Sequence, residues 1–153
     1  RKMQTHRLFN QIDISLLSPL PDSVNIKNVV TLIEHEVPDY LFSEIDVIYV
    51  GNFDFLTKEF KTSKFMENAI YLSDTITTDE DVLYDVAKSL SDSLEEKHTH
   101  LIFEDFEVIE EFNVDESFSD LLVDYLLYDK DLVKKEKPRC YKLIQEIIKN
   151  ESC

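Results

Sequence analysis

Apolar residues at Ile26, Val29, Val30, Ile33 and Val37 recur at helical spacing and Pro38 stops the run, so the pattern predicts an amphipathic helix. The period then changes. Residues 45–50 read Ile-Asp-Val-Ile-Tyr-Val and halt at Gly51, while residues 53–56 and 69–72 are shorter apolar and aromatic runs. All three are predicted as strands of one small sheet. Thr77 and Glu80 stand at capping-box spacing and predict the start of a long helix. In it Val82, Val86, Leu90 and Leu94, flanked by Leu83 and Ala87, form an apolar face, with Asp81, Asp85, Lys88, Ser89, Asp92 and Glu96 opposite.

After a break at residues 98–100, residues 101–112 mix apolar and acidic side chains and fit a strand or a helix. Phe118, Leu121, Leu122, Tyr125 and Leu126 return to the helical period. Pro138 suits the first turn of a final helix carrying Tyr141, Ile144, Ile147 and Ile148. The order of elements predicts an α+β fold, a small mixed sheet packed with helices. Residues 1–23, which include the turn at Pro19 and Pro21, read as an N-terminal arm, and residues 24–153 as the domain.

A chain of 153 residues, 43% of them hydrophobic, can bury one core without a disulfide or a metal. Charge narrows the partners. With 32 acidic against 16 basic side chains the net charge is -16, which disfavours nucleic acid and favours a protein partner with a basic or mixed surface. The acids are dispersed among apolar positions, as on a solvated surface; an inhibitor that imitates DNA is the other reading of the same charge. Gly51 is the single glycine, which excludes a glycine-rich phosphate loop. No apolar stretch approaches the roughly 18 to 20 residues that span a bilayer, and residues 1–7 lack the apolar region of a signal peptide, so the expected location is cytoplasmic. Cys140 and Cys153 are not expected to pair.

Residues 85–96 read Asp-Val-Ala-Lys-Ser-Leu-Ser-Asp-Ser-Leu-Glu-Glu, and they follow a strand (Ala69-Ile70-Tyr71-Leu72-Ser73) and a short capped turn. This arrangement resembles the metal-binding helix of zinc metalloproteases of the zincin class, in particular the gluzincin branch that includes anthrax lethal factor and predicted phage metallopeptidases. In that family two histidines four residues apart grip one zinc and the glutamate between them acts as general base. Here Lys88 stands at the first histidine position, Ser89 at the base and Asp92 at the second histidine. Residues 115–120, Asp-Glu-Ser-Phe-Ser-Asp, are similar to the family's Glu-x-Phe-Ala-Glu run, which makes Glu116 the match to the third zinc ligand. Pro138-Arg139-Cys140-Tyr141 is similar to its Pro-x-x-Tyr helix.

The resemblance implies a vestigial active site of Lys88, Ser89, Asp92 and Glu116, with no metal or other cofactor and no peptidase activity. A protonated lysine cannot ligate zinc, and serine is a poor replacement for a carboxylate base. The role implied is that of a pseudoenzyme making protein contacts, in a setting such as a phage virion or its assembly. Lys88 is expected to replace the zinc as a fixed cation, paired with Asp92 and Glu116; the alternative is an exposed i,i+4 pair worth about 0.3 to 0.5 kcal/mol.

Competing sites are weaker. His98 and His100, with Glu104 and Asp105, are candidates for an alternative metal site, but histidines at a helix end more often make ordinary hydrogen bonds. A rearranged hydrolase would combine Glu116 with one of those histidines and lay a peptide along residues 69–73 as an edge strand. Cys140, beside Arg139 near a helix start, reads as a buried structural thiol, and Tyr71 and Tyr125 as core residues rather than oxyanion-stabilising phenols.

Overall fold

The computed structural model describes residues 4–113 and 115–153. Strands β1 (Gln4–Leu8), β2 (Ile12–Leu16), β3 (Val47–Gly51), β4 (Ser63–Met66) and β5 (Ala69–Ser73) form one sheet in the order β1-β2-β3-β5-β4. The inner strands β2, β3 and β5 run parallel, and β1 and β4 are antiparallel edges. The sheet is mixed and carries eight α-helices among the described residues, so the fold is α+β as the element order predicts.

Alternation along the inner strands sorts the two faces. Ile14, Ile48 and Ile70 lie in one register row and Leu16, Val50 and Leu72 in the next, all buried. Helices α1 (Ile26–Glu36) and α3 (Asp79–Lys97) cover this side, adding Val29, Ile33, Val86, Leu90 and Leu94 to the same core. On the opposite side Tyr49 and Tyr71 stand 5.4 Å apart, and Phe53 and Phe55 pack edge-on to Tyr71 at 5.3 and 5.2 Å.

That aromatic cluster explains the one glycine. A Cβ on Gly51 would come within 3.0 Å of the Phe53 ring, which Phe55 and Tyr71 hold in place. Gly51→Ala is expected to lower stability by about 1 kcal/mol through overpacking, read as a shift in the urea midpoint at unchanged slope.

Three expectations change. Residues 4–16, read as part of an N-terminal arm, contribute two strands instead; residues 1–3 of that arm lie outside the described residues. The hairpin they form, and the one joining β4 to β5, turn through left-handed residues without glycine: Phe9 and Asn10 at φ 54° and 53°, Glu67 and Asn68 at 49° and 65°. Residues 53–56, predicted as a strand, fall in the short helix α2 (Asp54–Lys58), which points both Phe53 and Phe55 at Tyr71 while sinking Leu56 into the interior. The strand β5, expected at an edge, is internal because β4 pairs outside it.

Residues 101–112 hold parts of two short helices and no strand: α4 (Thr99–Phe103) and α5 (Phe106–Glu110). Then come α6 (Phe118–Val123), a π-helical turn (Asp124–Tyr128), α7 (Lys130–Glu136) and α8 (Pro138–Glu151). No helix among the described residues is long and apolar enough to cross a membrane.

Candidate functional site

Helix α3 starts one residue later than the spacing predicts, with the Thr78 hydroxyl accepting from the Asp81 N–H at 3.0 Å. Its polar side is not left to solvent. Asp85, Ser89, Ser91 and Ser93 are buried alongside the apolar residues, because β4 and α6 pack on that side. Short serines permit this close approach. The Asp85 carboxylate accepts from the Thr62 hydroxyl at 2.6 Å, and burial holds its pKa above the ordinary carboxylate value.

Lys88 and Asp92, one turn apart, share the α3 stripe that faces α6. The Lys88 ammonium donates to Ser119 Oγ at 2.6 Å and sits 3.1 Å from Asp120 Oδ1 and 3.3 Å from Asp92 Oδ1. Three acceptors thus meet its three protons. Burial opposes the charge, but Asp92 and Asp120 outweigh it and hold the Lys88 pKa above its ordinary value. Burial likewise works against the Asp120 carboxylate and is outweighed by the Ser117 backbone N–H and Lys88, leaving its pKa low. Burial and the Asp92 charge raise the Glu95 pKa, and Lys88 and Ser119 offset them only in part.

Of the four residues assigned to the vestigial site, only Lys88 and Asp92 come together. Ser89 is 1% exposed and its hydroxyl has no hydrogen-bond partner among the described residues. Glu116 does not reach Lys88: its Oε1 lies 3.5 Å from Lys137 Nζ. The cause is a capping box. Ser117 accepts from the Asp120 N–H at 3.2 Å, and Asp120 Oδ2 accepts from the Ser117 N–H at 3.0 Å, so α6 begins at Phe118. Glu116 is left before the first turn and points toward the start of α8, while Ser119 and Asp120 face α3. The Ser-x-x-Asp spacing was the signal for Asp120 that matching to a family run passed over.

The expected lock is therefore an open one. Side-chain exposures of 28% for Lys88, 43% for Asp92 and 39% for Asp120 leave the cluster partly solvated. Lys88→Met is expected to cost about 1 kcal/mol, well below the figure for a buried pair. The difference between parent and variant should hold across neutral pH. It fades as pH falls below 3.8 through the depressed Asp120 pKa, and as pH rises past 10.5 through the raised Lys88 pKa. Denaturation midpoints measured across that range check it.

The histidines part company. His98 is buried with Nε2 2.9 Å from Glu151, whose carboxylate also meets Lys97 at 2.9 Å and accepts from the Ser43 hydroxyl at 2.7 Å. His100 is exposed, and the Asp105 carboxylate near it is engaged by Arg139 at 2.9 Å. No group of three or more His, Cys, Asp or Glu side chains able to hold a metal occurs among the described residues.

Cys140 is buried; burial first, and then the Glu111 carboxylate, push its thiol up to about 12, so it is no nucleophile at neutral pH. Tyr71 belongs to the aromatic cluster, and Tyr125 packs at a tilt against Tyr141, 5.6 Å away, beneath the Lys130 ammonium. Comparisons of the chain with family models, curated proteins and solved structures find no match.

Proposed function

We propose that this chain is a zincin-like domain without peptidase activity that works through protein contacts. One observation carries the reading: the Lys88 ammonium stands where the resemblance calls for a zinc ligand, and the carboxylates within reach, Asp92 and Asp120, are engaged in holding it. Its raised pKa keeps it protonated at neutral pH, so it repels a divalent cation. The position of the general base holds Ser89, which is shut in the core and cannot activate water.

Chain order supports the likeness. Strand β5 leads through the Thr78-capped turn into α3, and α6 then lies along the same helix. The net charge of -16 favours a partner with a basic or mixed surface, and a virion or assembly component is the setting we favour.

The test is metal analysis of protein purified in the presence of zinc, together with an assay on an unstructured protein substrate. Substoichiometric zinc and no cleavage are expected. One tightly held zinc per chain overturns the proposal.

A further inference from the structure

A pocket of about 210 Å³ opens between α6, the π-helical turn and α7. Its floor is apolar, formed in part by Leu121, and its lip carries Tyr128 and Leu132, large side chains left 65% and 48% exposed. Four carboxylates, those of Glu116, Asp124, Asp129 and Glu136, line the same space. The one lining cation, Lys137, donates to the Glu111 carbonyl and stands 3.5 Å from Glu116, which leaves Asp124, Asp129 and Glu136 without it.

Two features show charge that the fold itself compensates only in part. Glu116 Oε1 is cut off from solvent, and the Lys137 ammonium, 3.5 Å away, is the cation beside it but does not hydrogen-bond it. The neighbouring Asp124 carboxyl is pushed above its ordinary pKa by burial and by the charges of Glu116 and Asp120. An incoming N–H cation would relieve both, and an apolar side chain beside it would cover Tyr128 and Leu132.

We propose that this pocket is the docking site for a basic amphipathic segment of a partner protein. A lysine or arginine of the segment enters between Glu116 and Asp124, and an adjoining leucine-like side chain lies on Tyr128 and Leu132. An arginine suits the place well, because its planar fork carries five donors and sheds water more readily than an ammonium. The inference rests on the protein-contact part of the proposed function and not on the loss of the metal site, so zinc uptake would overturn that loss and leave this pocket's binding unchanged.

The probe is a synthetic helical peptide of alternating leucine and arginine faces, titrated against the full chain at physiological salt, with its leucine–glutamate counterpart as control. Binding of the basic peptide alone is expected, with amide shifts centred on Tyr128 and Leu132. Tyr128→Ser with Leu132→Ser, both exposed and so tolerated by the fold, should weaken it about tenfold. Glu116→Gln with Asp124→Asn should do the same. The double variant Glu80→Gln with Glu110→Gln removes equal charge from exposed positions elsewhere and should leave affinity within about twofold. Equal losses from both charge-removing pairs, or no loss from the Tyr128 and Leu132 pair, would mean diffuse attraction to an acidic surface and overturn the proposal. Absence of binding by the basic peptide overturns it as well.

Discussion

Replacing Glu151 with alanine is expected to lower the unfolding free energy by about 3 kcal/mol, the low end of the range for breaking a buried ion pair. The side chain is 3% exposed and serves three partners from two parts of the chain: Ser43, after a 3₁₀ turn at Asp39–Phe42, and Lys97 and His98 at the end of α3. Lys97 is 35% exposed and can return to water. His98 cannot, since its ring is 9% exposed and would be left facing an empty space. A loss of that size in a chain of this length lowers Tm by roughly 6–12 °C.

The pH dependence follows from the sign of the shift. Burial works against the Glu151 charge, but Lys97, Ser43 and His98 outweigh it and depress the pKa below 4.5. The carboxylate's contribution is thus present above that value and is lost as pH falls through the depressed pKa. The gap between the parent and Glu151→Gln should close over that acid window, while the gap to alanine persists in part because packing is lost at every pH. Urea midpoints of the three proteins from neutral pH downward check both statements.

Lys88→His combined with Asp92→His is expected to create a zinc site with a Kd in the micromolar range or tighter. Two imidazoles at i and i+4 on α3 share the face turned to α6, and the Asp120 carboxylate, now 3.1 Å from the Lys88 ammonium, becomes the third ligand. The imidazoles are shorter than lysine, so the metal sits nearer the α3 axis and Asp120 follows by a rotamer change, for which its half-exposed position leaves room. Adding Asp120→Asn should weaken binding by one to two orders of magnitude. Adding Glu116→Gln should not, because that residue faces Lys137. Affinity should fall below about pH 6.5 as the imidazoles protonate. Calorimetric titration with zinc measures all of this. Loss of binding with Glu116→Gln but not with Asp120→Asn would show that the arrangement of α6 described above is wrong.

Those two carboxylates also show how far the residues alone could be read. Helices α1, α3 and α8 and strands β3 and β5 announced themselves through period, because each buries one continuous face and ends at a recognisable stop. The two hairpins did not. Their turns use Phe9-Asn10 and Glu67-Asn68 where asparagine–glycine or aspartate–glycine is the usual sign, so β1, β2 and β4 passed unnoticed.

The same limit applies at the site. Helical spacing is enough to pair Lys88 with Asp92, since both lie on one element. Which carboxylate of residues 115–120 would meet them depends on where α6 begins, and that is decided by a hydrogen bond of Ser117. A shift of one helical turn exchanged Glu116 for Asp120. The burial of Ser89 and Ser93 was equally hidden, because serine reads as a surface residue until a neighbouring strand is known to lie against it.

Helix α8 is fastened at both ends by carboxylates. Glu111 accepts from the Arg139 and Cys140 N–H groups at its start, and Glu151 grips the end of α3 at its finish. Under mechanical load this makes the molecule lopsided. A pull at the C-terminal end must rupture the Glu151 contacts together before α8 can move. A pull at Gln4 opens the β1–β2 ladder from its free end, one hydrogen-bonded pair after another, and so yields at a lower force.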